Sequence, residues 1–175
     1  TYKLYVSPRP EHIREAVETV ARTLAERGGI DFKIGQDAAG LLRPDKIVAY
    51  FSSRSELDEV SEKLRARLNG CPAHGIPFTA AIDDGGLFSW GLDPPDTARA
   101  LSWLGRESWR LWLATQLGAA MAFARSWSPN TDTNPNTNPN TNPNIPPWRF
   151  ARERVRRLGV DVDSWTPRPE LWRAE

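Results

Sequence analysis

The sequence predicts an α+β protein built on an antiparallel sheet of split β-α-β type, with helices on one face and more helices C-terminal to it. Three observations predict it. Within residues 2–92, alternating apolar runs, the mark of half-buried strands, are interleaved with two stretches of helical periodicity. Glycine and proline punctuate short connections between them. The composition is globular: of 175 residues, 39% are hydrophobic and 26% charged, with 23 basic against 22 acidic side chains and a net charge of +1. That balance argues against wholesale disorder and against bulk attraction to nucleic acid.

Each element has a local reason. Tyr2-Lys3-Leu4-Tyr5-Val6-Ser7 alternates and is rich in strand formers, so it reads as a strand ending at Pro8. Between Pro10 and Arg27, Ile13, Ala16, Val17, Val20, Ala21 and Leu24 form the stripe of an amphipathic helix, closed by Gly28-Gly29. Ile30 to Ile34 is a short strand, Gly35 to Asp45 a loop, and Lys46 to Phe51 a strong strand. Ser55 with Asp58 three residues on opens a second helix, striped by Leu57, Val60, Leu64 and Leu68 and ended at Gly70. Phe78 to Ile82 and Leu87 to Trp90 are strands flanking a hairpin turn at Asp83-Asp84-Gly85-Gly86. This order is ferredoxin-like, with one extra strand.

Beyond Trp90, Arg106 to Arg125 reads as a helix whose apolar side is Trp109, Trp112, Leu113, Leu117, Ala120 and Met121. Ser126 to Pro147 carries repeated Thr-Asn-Pro-Asn units, a composition of serial turns that cannot pack a core. Trp148 to Leu158 is a helix with five arginines, and the tail carrying Trp165 and Trp172 is expected to lie back across the body. The expected organisation is an α+β domain over 1–125, an Asn/Pro-rich insertion or linker over 126–147, and a basic helix and tail over 148–175 packing on the same domain.

The single cysteine, Cys71, has no internal disulfide partner, and with only His12 and His74 there is no Cys/His metal cluster. No run approaches the roughly 20 apolar residues of a membrane span, and residues 1–10 do not resemble a signal peptide. A cytoplasmic protein without metal, cofactor or membrane partner is expected.

Lysine usage points to a site. Only Lys3, Lys33, Lys46 and Lys63 are lysine, and the other nineteen basic residues are arginine. Strand alternation turns Tyr2, Leu4, Val6, Phe32, Ile34, Ile47, Ala49 and Phe51 toward the helices. It therefore turns Lys3, Tyr5, Ser7, Lys33, Lys46, Val48 and Tyr50 to the opposite, uncovered face, with Asp31 the nearby acid. Clustered ammonium groups lower one another's proton affinity, so one becomes a credible base while the rest attract an anion. Lysines on open strands also serve simply to keep a sheet soluble.

Residues 2–92 resemble the phosphothreonine lyase superfamily, which includes secreted bacterial effectors and the lyases of lanthipeptide and thioamitide biosynthesis. The likeness rests on Lys3-Leu4-Tyr5-Val6-Ser7, on Phe32-Lys33, on Asp45-Lys46-Ile47-Val48-Ala49-Tyr50 and on Arg110 in Ser108-Trp109-Arg110. The resemblance implies β-elimination of phosphate from a phosphoserine or phosphothreonine peptide, giving dehydroalanine or dehydrobutyrine without a cofactor. Lys33 would be the base, and Lys3, Lys46 and Arg110 would hold the phosphate, with Arg43 and Tyr50 beside them. Where the family carries its acid histidine this chain has Tyr5, a phenol with an ordinary pKa of about 10. A precursor peptide and a kinase-like enzyme are the implied partners.

Two other classes fit the same pattern. One is a phosphopeptide-binding module without chemistry; the other is a single-stranded nucleic-acid sheet stacking bases on Tyr5 and Tyr50. Against the latter, Lys46 to Phe51 lacks the usual Gly-aromatic RNA motif, so nucleic acid is not the expected partner. Gly35 to Gly40 lacks a phosphate-loop Gly-Lys-Ser/Thr. Asp83-Asp84 reads as a turn, Cys71 as helix-end packing, Trp109 and Trp112 as core, and His12 and His74 as surface or loop histidines.

Overall fold

The alternation of Tyr2 to Val6 produces β1 (Tyr2–Val6), and the stronger run after Lys46 produces β3 (Ile47–Phe51). In the computed structural model, which describes residues 1–101, 103–127 and 145–168, these two strands pair antiparallel with Leu4 opposite Ala49 and Tyr5 opposite Val48. β5 (Phe88–Leu92) flanks β1 on its other side, with Tyr5 opposite Ser89. β2 (Phe32–Ile34) and β4 (Ala80–Ala81) form the outer edges, so the order is β2-β3-β1-β5-β4 with every neighbouring pair antiparallel. β1 and β2 are thus separated by β3, and β3 and β5 by β1. The mixed α+β class and antiparallel sheet agree with the sequence reading.

The apolar stripe of α1 (Ile13–Ala25) and that of α3 (Arg54–Arg67) share one core with one face of this sheet. Ala16, Val20 and Leu24 from α1 and Leu57, Val60 and Leu64 from α3 meet Leu4, Val6, Ile47, Ala49, Phe51, Phe88 and Trp90. Burying each large aliphatic contributes about 1.5–3 kcal/mol, which is why the pattern dictates the fold.

Three local expectations change. The segment Gly35 to Asp45 is not all loop: Asp37 caps a short helix, α2 (Ala38–Leu42), by accepting from the Gly40 amide at 2.7 Å. The capping box of α3 is Ser53 with Glu56 rather than Ser55 with Asp58. The longer glutamate reaches back to the Ser53 amide, while Asp58 pairs with Arg54 at 2.7 Å. Phe32 and Ile34 share the helix-side face by register but stay 36% and 39% exposed, because β2 is the outermost strand.

The chain divides into two compact units, Thr1–Asp93 with Ser164–Thr166, and Pro94–Asp163 with Pro167–Glu175. The division falls well before the expected boundary at residue 125. In the second unit α4 (Trp109–Trp127) packs on α5 (Pro147–Arg157), where the rings of Phe123 and Phe150 stack at 5.9 Å. Trp109, Trp112, Leu113, Leu117 and Ala120 are buried as the periodicity requires, and Trp112 Nε1 donates to the Ala98 carbonyl at 2.7 Å. Trp165, in the first unit, stands edge-on to Phe78 at 5.0 Å. The Asn-Pro repeat over 128–144 and Trp172 lie outside the described residues. Among the described residues, no helix is long and apolar enough to cross a membrane.

Candidate functional site on the lysine-bearing sheet face

Register fixes where the lysines start from. Lys3 is opposite Tyr50, and Lys33 is opposite Val48, which is itself opposite Tyr5. Lys46 immediately precedes β3 and lies diagonal to Lys33, a placement that separates Cα atoms by about 7–8 Å. Lys3 and Lys46, by contrast, lie four residues apart along neighbouring strands, roughly 13 Å at about 3.3 Å per residue. Parity therefore puts all three on one face, while their rows differ.

Side-chain partners separate them further. Lys3 Nζ is 2.7 Å from Asp93 Oδ1, with both side chains largely buried, and lies 5.7 Å from the centre of the Tyr50 ring. Its charge is thus matched within the protein. Lys46 is 1% exposed and donates to the Pro8 carbonyl at 2.7 Å. Its Nζ also lies 3.0 Å from His74 Nδ1. Burial lowers the Lys46 pKa below its ordinary 10.5, against a partial counter-effect from the Asp45 and Glu11 carboxylates. Lys33 is exposed on β2 and forms no ion pair among the described residues.

The three amines accordingly do not meet in one anion-sized hollow. By register the backbones of Lys33 and Lys46 stay one diagonal step apart, while the Lys46 amine turns to Pro8 and His74. The centre of this face is also not open: Tyr5 is 3% exposed, and Val48 and Ser89 are buried with it. Tyr5 therefore offers neither an accessible proton donor nor a platform for a stacked base. Tyr50 is half-buried and lines a cleft of about 470 Å³ with Asp31, Ser52 and Glu56. Two carboxylates in that cleft disfavour a phosphate there.

Two arginines were expected to bind phosphate. Arg43 makes two 2.9 Å hydrogen bonds to Asp45, which hold its guanidinium above its ordinary pKa. Arg110 lies in the first turn of α4, in the second compact unit.

His74, which the sequence reading set aside as a surface or loop histidine, joins the candidate residues. It is an exposed loop residue, as read, yet its Nδ1 contacts a buried amine. The segment around it runs antiparallel to the end of β1. Pro8 bridges Ala73, His74 N donates to the Ser7 carbonyl at 2.8 Å, and Arg9 N donates to the Pro72 carbonyl at 2.9 Å. The Ser7 hydroxyl, fully buried, donates to the Pro44 carbonyl at 2.8 Å and tethers the approach to Lys46 from the other side. Gly75, at φ +79°, supplies the left-handed turn that releases the chain after His74.

An ammonium can donate to Nδ1 only when that nitrogen is unprotonated, which leaves the Nε2 hydrogen available to solvent. The Lys46–His74 contact thus joins a buried amine to an exposed ring. Asp93 was missed by the sequence reading. Its signal is the continuing alternation Ser89, Gly91, Asp93, carried past Trp90 by the Asp93 amide bonding to the Thr1 carbonyl at 3.1 Å.

Among the described residues, no three His, Cys, Asp or Glu side chains are placed to hold a metal ion. No family model matches this sequence, and no curated protein or solved structure matches it.

Proposed function

We propose that this protein is phosphoserine/phosphothreonine lyase-like and eliminates phosphate from a phosphorylated peptide, leaving dehydroalanine or dehydrobutyrine. The observation that carries this reading is the 3.0 Å contact between the buried Lys46 amine and the exposed His74 ring, on the face that also bears Lys33.

Elimination needs two proton transfers. A base removes the Cα proton, the C–H electrons become the Cα=Cβ double bond, and the Cβ–O bond breaks with its electrons going to phosphate. In this reading Lys33 is the base, the role the resemblance gives it. His74 donates its Nε2 proton to the departing phosphate while Lys46 hands a proton to Nδ1, so the pair ends one proton poorer and Lys46 neutral. Burial that weakens Lys46's hold on its proton favours that delivery. The imidazole absent from the Tyr5 position is supplied from the 71–75 segment. A kinase-like partner installs the phosphate beforehand.

A second reading, phosphopeptide binding without chemistry, is favoured by the near-complete burial of Lys46 and the Asp93 partner of Lys3. Mass spectrometry separates the two. Incubation with a phosphothreonine peptide is expected to yield product lighter by the elements of phosphoric acid. His74→Ala and Lys46→Met each slow that loss by about 100-fold, the usual scale for a lost proton donor, and Tyr5→Phe leaves it within about threefold. A peptide that binds and keeps its mass establishes the binding reading instead.

A further inference from the structure

The outer edge of β2 is unpartnered in a way that specifies what would cover it. β2 is the terminal strand of the sheet. On its inner side, Tyr50 N donates to the Asp31 carbonyl at 3.0 Å and Gly35 N donates to the Lys46 carbonyl at 2.9 Å. Lys33 is paired with Val48 between them. In an antiparallel ladder the bonded residues alternate, so Asp31, Lys33 and Gly35 spend their main-chain groups on β3. Phe32 and Ile34 then turn their N–H and C=O groups outward, and no hydrogen bond engages them among the described residues.

The side chains at this edge are equally open. Phe32 and Ile34 are 36% and 39% exposed, and Leu42, the last residue of the short α2, is 60% exposed. Lys33 projects to the other face of the same strand, also exposed and without an ion pair among the described residues. Edges are commonly blunted by shortness, charge, proline or a cover; this three-residue strand has the first two, with Lys33 as its charge, yet its apolar side chains stay exposed. This one offers four free main-chain groups, two apolar side chains and one unmatched cation.

We propose that an extended phosphopeptide adds to β2 as a sixth, antiparallel strand, with its phosphoserine or phosphothreonine opposite Lys33 and an apolar residue on either side. The peptide residues bonded to Phe32 and Ile34 form the hydrogen-bonded pairs. The residue between them faces Lys33 in a non-bonded pair, where Cα atoms approach to about 4.5 Å and side chains lie closest. Its phosphate falls on the lysine-bearing face, on the side of the strand that carries Lys33. Its two neighbours point to the helix-side face, onto Phe32 and Ile34. The recognised pattern is therefore apolar–phosphoresidue–apolar in extended form, with main-chain bonds giving affinity and alternate side chains giving selectivity. The phosphate preference rests on the function proposed above, whereas the strand addition rests on the edge itself.

The test uses a fluorescein-labelled peptide with a Val-phosphothreonine-Val centre, followed by fluorescence anisotropy. Methylating the main-chain nitrogens of the two valines removes the donors to the Phe32 and Ile34 carbonyls, and binding falls by about tenfold or more. Methylating the phosphothreonine nitrogen, which points away from β2, leaves binding within about twofold of the parent. Lys33→Ala abolishes the preference for the phosphorylated over the unphosphorylated peptide, and in amide-resolved hydrogen exchange Phe32 and Ile34 gain protection on binding. Equal effects of the two methylation patterns, or protection elsewhere without change at Phe32 and Ile34, overturn the proposal. Product mass, read on the same samples, distinguishes the two claims. A peptide that binds with this methylation pattern but keeps its phosphate defeats elimination alone. One that loses phosphate equally fast with either pattern defeats strand addition alone.

Discussion

Replacing Lys46 by Met tests the buried amine most directly. Methionine keeps the unbranched stem and most of its volume, so packing changes little. The Pro8 carbonyl, which accepts from Nζ at 2.7 Å, loses its donor, a cost of about 1–3 kcal/mol for a buried acceptor. His74 is exposed, so water replaces the donor to Nδ1 at small cost. Against these losses, the variant no longer buries an ammonium. The two effects oppose each other, and the expected net loss at neutral pH is about 1 kcal/mol. The pH dependence is sharper. Because burial lowers the Lys46 pKa in the folded protein, between that value and the ordinary 10.5 the unfolded chain binds more protons than the folded one. Stability therefore rises with pH through this window, by about 1.4 kcal/mol for each tenfold weakening of proton affinity. The Met variant lacks this contribution. Urea denaturation of both proteins from pH 7 to pH 10 should show the wild type gaining on the variant as pH rises. Parallel profiles would mean that Asp45 and Glu11 offset burial, and a wild type that loses ground that they outweigh it; either result contradicts the lowered proton affinity.

Other consequences are local. A double-mutant cycle on Lys3→Ala and Asp93→Ala should give a coupling of about 1 kcal/mol, above the usual exposed pair because both side chains are largely buried. A value near zero, read from urea midpoints, would return Lys3 to the pool of free cations. Ser53→Ala should cost about 1 kcal/mol and Ser55→Ala less than about 0.5, which thermal melts will show, since only Ser53 caps α3. Burial pushes the Cys71 thiol above its ordinary pKa, with Glu15 adding to the effect, so iodoacetamide should alkylate it several-fold more slowly at pH 8 than in the urea-unfolded chain. Equal rates would contradict that.

What the sequence revealed divides along a physical line. Alternation told which face Lys3, Lys33 and Lys46 occupy, because side-chain period in a strand is fixed by covalent geometry. It did not tell which row each occupies. That depends on the register of β1 against β3, set by long-range packing, and four residues of offset separated Lys3 from Lys46. The α1 stripe and the buried tryptophans of α4 were legible because burial repeats at helical spacing. The capping box was misplaced because Ser53-Arg54-Ser55-Glu56-Leu57-Asp58 offers two serine–acid pairs at the same spacing, and only geometry chooses Glu56. His74 was invisible as a partner because nothing near it in sequence is basic or buried. Its contact with Lys46 exists only because the 71–75 segment bridges onto the end of β1. Asp93 was legible in principle, one alternation step beyond where the strand was taken to end.

The identity of the residue at position 46 follows from the same physics. In a chain with nineteen arginines and four lysines, an arginine there would be the compositional default. A guanidinium remains charged at any working pH, carries five donors to satisfy and takes more room, all costly at a site with 1% exposure and two acceptors at hand. An amine needs less space, can be neutral when buried, and can pass a proton to an imidazole and recover it. A purely structural link between β1, β3 and the 71–75 segment would need only a donor of suitable length. What distinguishes this one is that its second acceptor is an exposed, protonatable ring rather than another carbonyl. A buried amine wired through such a ring to the surface, one diagonal step from the open Lys33, is an arrangement suited to moving protons as well as to holding strands together.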